Sequence, residues 1–350
     1  MRRGVVWSRA AAGLTGALFA GALLAGAPAA QAAEKVVWNF SLWGPPRAAT
    51  AAADFFAKTV AEKTAGNFTM RMHYGEAVSP AKENLDSIKV GSIEIGMVCT
   101  AYHPGKNPAM TGLDLPFLPF PNLDIQQTVH EAYYRHPAVV AEMKRWNAIA
   151  VFSNLLPQSE FMGVGKPPKA LEDWKGLRVR AIGGIGEAMR VLGAVPTSVP
   201  APEVYTSLER GMVNAAALPS TYNLAAMRLH EISKWYTANM APGTSNCPTV
   251  VSIDAWNALP AEYKKILEEA YPAGYEVLKA AYKEADSVNL PMFRKLGLEE
   301  IRYSDAQLEE FRQRAAKSVW DKWVEEMKAK GVPGDELLKL IFDTAKKAGA

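Results

Sequence analysis

The chain has 350 residues, of which 49% are apolar, and 39 lysines and arginines stand against 36 acidic residues. Three of the basic residues and none of the acidic ones precede residue 34, so 36 basic residues balance 36 acidic ones in the rest of the chain. Such a neutral balance, without blocks of lysine and arginine, gives no reason to expect nucleic acid or an anionic membrane surface as a partner, and the length favours two domains over one.

The first 33 residues have the pattern of a secretory leader. Three arginines precede an Ala/Leu/Gly-rich apolar stretch that ends in Ala-Gln-Ala at residues 30–32, a small-residue cleavage site. No cysteine near that site offers a lipid attachment point, and no later stretch reaches the roughly 18 apolar residues that a membrane-spanning helix needs. We therefore expect a soluble protein that is exported to the periplasm.

The next part of the chain alternates predicted strands and helices. Period-two alternation indicates the strands, and helical spacing with glycine stops indicates the helices. In chain order these elements are strand 36–43, helix 48–65, strand 68–74, helix 81–91, strand 92–100, helix 123–146 and strand 148–155. This order is the opening of a parallel, doubly wound sheet.

The same rhythm starts again after residue 157, which predicts a second domain of the same class. Pro272 and Gly274 are expected to bend a long helix rather than end it, and Ser304 and Gln307 have capping-box spacing. The predicted elements are strand 177–182, helices 184–194 and 203–211, a strand after residue 246, and helices 260–290, 304–330 and 334–348.

A search for catalytic motifs finds none that is specific. The chain has no Gly-x-Ser-x-Gly elbow, no Walker lysine loop and no Cys-x-x-Cys. His130 and His136 are six residues apart, which does not match the spacing of a zinc-binding helix, so no metal or cofactor is expected. Cys99 and Cys247 could form one disulfide in an oxidising compartment or could remain buried thiols.

One glycine-rich stretch, GGIGEAM at 183–189, follows a strand and opens a helix. Two of its glycines fit a dinucleotide loop, but Met189 occupies the third position, where a bulky side chain opposes close packing of helix and strand. The helix start could still bind an anion. Arg180 ends the preceding strand, where it could either hold a ligand carboxylate or neutralise a surface carboxylate. An exported α/β enzyme that binds a phosphorylated ligand at 183–189 is therefore one hypothesis.

The second hypothesis comes from the run 172–219, which resembles the hallmark region of the substrate-binding proteins of TRAP transporters, the DctP type. That family has a Leu-Lys-Gly-Leu-Lys-Ile-Arg run, matched at 174–180, and Leu-Gly-Ala-x-Pro, matched at 192–196. Its Glu-Val-Tyr-x-Ala-Leu and Gly-Val-Val-Asp-Gly patterns are matched at 203–208 and 211–215. The resemblance extends over essentially the whole chain after the leader.

The resemblance implies an α/β protein with the two-lobed fold of periplasmic binding proteins, similar to type II, whose two doubly wound domains are joined by strands and a long helix. The expected lobes are 34–157 plus 246–285 and 158–245 plus 286–350. Such a protein is not an enzyme. It closes by a hinge motion around a small organic acid and delivers it to a membrane permease driven by an ion gradient. We expect a monomer.

The resemblance also implies a ligand clamp. The arginine that ends the family's Lys-Ile-Arg run binds the ligand carboxylate through two hydrogen bonds, and that position is Arg180. The family's Asn-Pro is Leu218-Pro219 here, and its Gly-Phe-Arg is replaced by PQSEF at 157–161, so two polar anchors are missing. These changes favour a monocarboxylate with an apolar or aromatic body over a dicarboxylate or sialic acid. The expected ligand-binding residues are Arg180, Trp43, Tyr102, Gln158, Phe161, Tyr205, Leu218 and Tyr222.

Overall fold

A computed structural model describes residues 34–350, so the predicted leader lies outside the described residues. The strands are β1 (Val36–Ser41), β2 (Phe68–His73), β3 (Ile95–Met97), β4 (Ala148–Phe152), β5 (Ser159–Gly163), β6 (Arg178–Arg180), β7 (Val195–Thr197), β8 (Ala215–Pro219), β9 (Trp235–Thr237), β10 (Thr249–Ser252) and β11 (Glu299–Ile301). The helices are α1 (Ala51–Lys63), α2 (Asn84–Lys89), α3 (Leu123–Tyr134), α4 (Pro137–Lys144), α5 (Gly183–Val191), α6 (Val204–Glu209), α7 (Tyr222–Ala226), α8 (Ile253–Ala258), α9 (Ala261–Lys295), α10 (Asp305–Ala329) and α11 (Gly334–Lys347). None of these helices is both long and apolar enough to cross a membrane.

The first sheet, on which the first lobe is built, has the strand order β2-β1-β3-β10-β4. Strand β1 runs parallel to β2 and β3, as the alternation of strands and helices along the chain predicts. Strand β10 returns from the second lobe and pairs antiparallel with both β3 and β4. The first sheet is therefore mixed, because a strand that crosses between lobes enters it in the reverse direction.

The second sheet, on which the second lobe is built, has the order β11-β9-β5-β8-β6-β7. Strand β6 is parallel to β7 and β8, whereas β5 is antiparallel to β8 and β9. The core beside this sheet contains Phe161, Trp174 and Trp235, all fully buried. Two such sheets, each covered by helices, confirm the predicted α/β class and its two lobes.

The long helix α9 spans 35 residues and continues through Pro272 and Pro291. The prediction that Pro272 does not end the helix is confirmed. Gly274 has a packing role, since a Cβ atom at this position would lie 2.4 Å from Cζ of Phe56 on α1. Glycine therefore lets α1 and α9 pack closely over the first sheet.

The last two helices pack as the amphipathic patterns predict. Ser304 caps α10, where its backbone N donates to Oε1 of Gln307 at 2.9 Å and the Gln307 backbone N donates to its hydroxyl at 3.3 Å. Helix α11 buries Leu337 and Ile341 in the core that contains Val129 of α3, in the first lobe. The C-terminal half of α10 contributes to the same core. The grouping of 286–350 with the second lobe stays a prediction.

Candidate ligand site

One small cavity is lined by residues at or just after the ends of four strands. Two of these strands, β1 and β3, belong to the first lobe, and the other two, β6 and β8, belong to the second lobe. The volume of the cavity is about 10 Å³, which corresponds to roughly one water molecule. The lining residues are Trp43, Cys99, Tyr102, Leu156, Arg180, Ile182, Ala201, Leu218, Pro219, Asn223, Ser245 and Cys247. The ends of strands from both sheets thus meet here, as expected for the ligand crevice of an open α/β fold.

Arg180 enters this cavity from the end of β6 and is 2% exposed. Its Nε donates to the carbonyl of Val199 at 2.9 Å, and its Nη1 donates to the carbonyl of Ala217 at 2.7 Å. Its Nη2 is buried and has no hydrogen-bond partner among the described residues. Two backbone carbonyls therefore fix the plane of the guanidinium and leave the Nη2 end free to bind an acceptor.

The charge of Arg180 has no protein counterion in the described part of the chain, where no carboxylate oxygen lies within 4.0 Å of its guanidinium. Burial lowers the pKa of Arg180, and nearby Tyr102 partly opposes that shift. Burying an unpaired cation is costly unless an anion accompanies it. An anionic ligand would remove this cost.

Trp43 forms an aromatic wall of the cavity together with Tyr102. Their ring centroids are 6.1 Å apart in an edge-to-face arrangement. The guanidinium carbon of Arg47 lies 4.1 Å from the centroid of the Trp43 ring, and Arg47 Nη1 donates to the Trp43 carbonyl at 2.7 Å. Trp43 is therefore held between a cation and a second ring. Arg47 is not among the predicted site residues, although its place in the GPPR loop after the first strand is a usable signal.

Cys99 and Cys247 form a disulfide that lines the cavity. The pair extends the antiparallel ladder of β3 and β10, since Val98 N donates to the Pro248 carbonyl at 3.0 Å. The sequence left this pairing open, because two cysteines separated by 148 positions meet only through the sheet topology. The disulfide joins the crossing segment before β10 to the loop after β3.

Two further polar residues of the cavity were not predicted. Asn223 lies on α7 and is buried, and its Oδ1 has no hydrogen-bond partner among the described residues. Ser245 lies in the segment that crosses back to the first lobe and is 6% exposed. Isolated polar residues such as these belong to no sequence motif, so nothing in the sequence marks them as site residues.

Four of the eight predicted ligand residues line the cavity: Arg180, Trp43, Tyr102 and Leu218. The other four lie elsewhere. Phe161 packs in the second-lobe core, 4.7 Å from the ring of Trp174, because it lies on the face of β5 that turns toward that core. Tyr205 is half-buried against the large core that joins the two sheets.

Gln158 and Tyr222 also lie outside the cavity lining, yet both carry a buried polar atom without a partner in residues 34–350. These atoms are Oε1 of Gln158 and the hydroxyl of Tyr222. The rings of Tyr222 and Tyr282 are tilted against each other with centroids 4.9 Å apart, and Tyr222 and Arg47 border an open groove of about 680 Å³. This groove is separate from the cavity that contains Arg180.

The glycine-rich start of α5 packs against the first lobe. A Cβ atom at Gly184 would lie 2.5 Å from the carbonyl oxygen of Asp114 and 2.5 Å from Cδ of Pro116. The start of α5 also borders a cavity of about 280 Å³, where Lys322, one of its two lysines, pairs with Glu187 at 2.7 Å. Close contact between lobes accounts for Gly184 without a phosphate ligand.

The chain is similar to known bacterial solute-binding proteins. Residues 42–327 match the family DctP, described as bacterial extracellular solute-binding protein, family 7. A monocarboxylate 2-oxoacid-binding periplasmic protein of Nostoc sp. PCC 7120 is 30% identical over 225 residues. That alignment spans 62% of this chain and 60% of the Nostoc protein, so it covers less than two thirds of the relative.

Solved structures with the same fold include TRAP solute-binding proteins from two bacteria. The protein from Desulfovibrio salexigens, with bound orotic acid, superposes with a TM-score of 0.80 at 20% identity and covers 89% of this chain and 99% of that one. The protein from Rhodoferax ferrireducens T118, in complex with copurified benzoate, has a TM-score of 0.78 at 20% identity, with 89% and 98% covered. Because the family match extends over most of its length, the chain belongs to family 7 of the bacterial extracellular solute-binding proteins, the DctP family, and is a binding protein rather than an enzyme.

Proposed function

We propose that this protein works in the periplasm, where it binds a small organic acid between its lobes and delivers it to the membrane permease of a TRAP transporter. The ligand is a monocarboxylate with an apolar or aromatic body, and its carboxylate is bound by Arg180. The protein acts as a monomer that opens and closes by a hinge motion. Membership of the DctP family supports the transport role.

The observation that carries this proposal is the state of the Arg180 side chain. Its guanidinium is buried and oriented by two carbonyls, and it has an unpartnered Nη2 and no carboxylate within 4.0 Å in the described residues. Nη1 retains a second hydrogen, so the Nη1–Nη2 edge can donate two parallel hydrogen bonds to a carboxylate. A ligand carboxylate satisfies both the free donor and the unpaired charge.

The remainder of the lining supports an apolar ligand body. Leu218 stands where the family pattern has an asparagine, and it faces the cavity together with Ile182, Trp43 and the Cys99–Cys247 disulfide. The relatives named above are described with a 2-oxoacid monocarboxylate, orotic acid and benzoate, which are all organic acids. The cavity of about 10 Å³ is smaller than any of these, so binding requires the lobes to separate and close around the acid.

A ligand panel tests the proposal on the purified protein. We expect thermal stabilisation by aromatic or branched monocarboxylates such as benzoate and 4-methylpentanoate, and much less by succinate or malonate. A ligand present at 1,000 times its dissociation constant adds about 4 kcal/mol to the free energy of unfolding, which is readily measured. Mass spectrometry should recover the bound acid chemically unchanged.

Two results would contradict the proposal. Stabilisation by dicarboxylates alone would retain the transport role and reject the monocarboxylate ligand. Stabilisation by phosphorylated compounds, with no response to any carboxylate, would reject the clamp by Arg180 altogether.

A further inference from the structure

We infer that the closed protein stores backbone strain in the two chain segments that cross between its lobes, at Leu155 and Ala241, and that this strain opposes closure until a ligand binds. The inference rests on the proposed function, because it concerns the hinge motion that closes the lobes around the acid. It makes Ala241, which lies outside the cavity lining, a residue that sets the affinity for the ligand.

Two segments without helix or strand join the two sheets. Residues 153–158 lead from β4 to β5, and residues 238–248 lead from β9 back to β10. Each contains one non-glycine residue with a left-handed backbone, Leu155 with φ of +40° and Ala241 with φ of +38°. A side chain in this region approaches the backbone carbonyl too closely, which lowers stability. Both crossing segments therefore hold a strained residue.

The strain at Ala241 has a second source, because the next residue is Pro242. The ring of a proline collides with the N–H and Cβ of the residue before it, and this collision favours an extended backbone at that residue. The left-handed backbone of Ala241 thus opposes both the preference of an ordinary side chain and the preference set by the proline.

Hydrogen bonds hold Ala241 in this conformation, and they lead to different lobes on its two sides. The backbone N of Ala241 and that of Met240 donate to the two carboxylate oxygens of Glu160 on β5, at 3.1 and 3.2 Å. On the other side, the carbonyl of Pro242 accepts from the backbone N of Phe117, in the loop after residues 114–116 of the first lobe, at 3.0 Å. A rotation of one lobe against the other must therefore change the backbone at or beside Ala241.

Leu155 is fixed in a similar way and is 1% exposed. The preceding carbonyl, of Asn154, accepts from the hydroxyl of Tyr282 on α9 at 2.7 Å. The following carbonyl, of Leu156, accepts from the hydroxyl of Thr244 in the other crossing segment at 2.6 Å. The two strained segments are thus bonded to each other, so we expect them to move together.

The lobes are in contact in this structure, since a Cβ atom at Gly184 on α5 would lie 2.8 Å from Cα of Leu115. Hinge motions are absorbed by a few residues that change φ and ψ, and a strained backbone is stable only where its surroundings fix it. Opening removes those surroundings, so Ala241 can return to an extended backbone. Strain that is present only in the closed state reduces the closed fraction and with it the apparent affinity.

Substitutions of Ala241 test the inference by calorimetry with benzoate and 4-methylpentanoate. Glycine adopts a left-handed backbone without a steric cost, so Ala241→Gly should bind the acid about 3- to 10-fold more tightly than the unchanged protein. A β-branched side chain tolerates positive φ least, so Ala241→Val should bind it about 3-fold or more weakly. The series therefore predicts changes of affinity in opposite directions at one position.

Ala65→Gly is the matched control, because Ala65 is an exposed residue just after α1 that also has a left-handed backbone, with φ of +49°. The same change there relieves strain outside the crossing segments. It should raise the free energy of unfolding, measured in urea, and leave the affinity for both acids within about 2-fold of that of the unchanged protein.

An affinity that Ala241→Gly leaves unchanged or lowers would overturn the inference, while the binding of the acid would still support the carboxylate clamp. This measurement alone decides if Ala241→Val does not fold. Equal tightening by Ala65→Gly would overturn the inference too, since the effect would then not depend on the crossing segments. Binding of neither acid by the unchanged protein would count against the proposed function and against this inference with it.

Discussion

Asp114 is a buried carboxyl group next to the contact between the lobes. The hydroxyl of Thr100 and the backbone N of Asn246 donate to its two oxygens. Burial raises its pKa to about 7 from the ordinary value of 3.8. The folded protein therefore holds a proton over roughly pH 4 to 7 that the unfolded chain has released. The stabilisation that this proton provides is present at low pH and is lost as the pH rises toward the folded-state pKa.

The Asp114→Asn variant tests this pH dependence. A neutral amide retains an acceptor for Asn246 N and supplies a donor for the Thr100 oxygen, so it resembles the protonated acid. Relative to the variant, the unchanged protein should lose about 2–3 kcal/mol of unfolding free energy between pH 5 and pH 8. Urea unfolding at both pH values measures this difference. Burial also raises the pKa of Glu160 to about 7. Glu160 is present in both proteins, so its contribution cancels when their pH profiles are subtracted. Parallel pH profiles would show that Asp114 does not titrate in this range.

At the scale of elements, the start of α5 lies close to the backbone of the first lobe. Gly183 has a left-handed backbone with φ of +54°, and a Cβ atom there would lie 3.0 Å from Cβ of Asp114. The neighbouring position is tighter, since a Cβ at Gly184 would lie 2.8 Å from Cα of Leu115 as well as close to the Asp114 carbonyl. Backbone atoms cannot move aside as a flexible side chain can. The short distance between α5 and residues 114–116 therefore depends on glycine.

The Gly184→Ala variant should force α5 away from residues 114–116. We expect it to lower the free energy of unfolding by about 1–3 kcal/mol, a typical cost of overpacking, and to weaken ligand binding because the lobes close incompletely. Urea unfolding and calorimetry measure the two effects. Gly105→Ala is the matched control, since a Cβ there meets nothing within 4 Å and its φ is not in the left-handed region. Identical behaviour of the two variants would contradict this role for α5.

For the whole molecule, local patterns predicted most of the elements, and their spatial arrangement was harder to predict. The periodicity of α9 and the capping box of α10 depend on neighbouring residues, so both could be predicted from the sequence. The direction of β10, the meeting of Cys99 with Cys247 and the burial of Phe161 on the core side of β5 depend on which strands pair. Strand pairing joins residues that lie far apart in the chain, and a single sequence does not show which strands pair.

In the candidate site, too, the features set by neighbouring residues could be predicted, and those set by the spatial arrangement could not. Arg180 could be predicted because a motif of adjacent residues marks it and because it ends a strand. Arg47 and Asn223 come near the cavity only when a loop of the first lobe meets a helix of the second. Their hydrogen-bonding roles depend on burial without a partner, which is a property of the folded chain.

The central claim is that Arg180 binds the carboxylate of the ligand, and calorimetry on two arginine variants tests it most directly. With the best acid from the panel, Arg180→Gln should weaken binding by about 2–5 kcal/mol, at least 30-fold, because the carboxylate is then left unpaired in a closed site. Arg178→Gln, two residues earlier on the same strand and exposed to solvent, should bind within about 2-fold of the unchanged protein. A folded Arg180→Gln variant that binds the acid as tightly as Arg178→Gln would contradict the account.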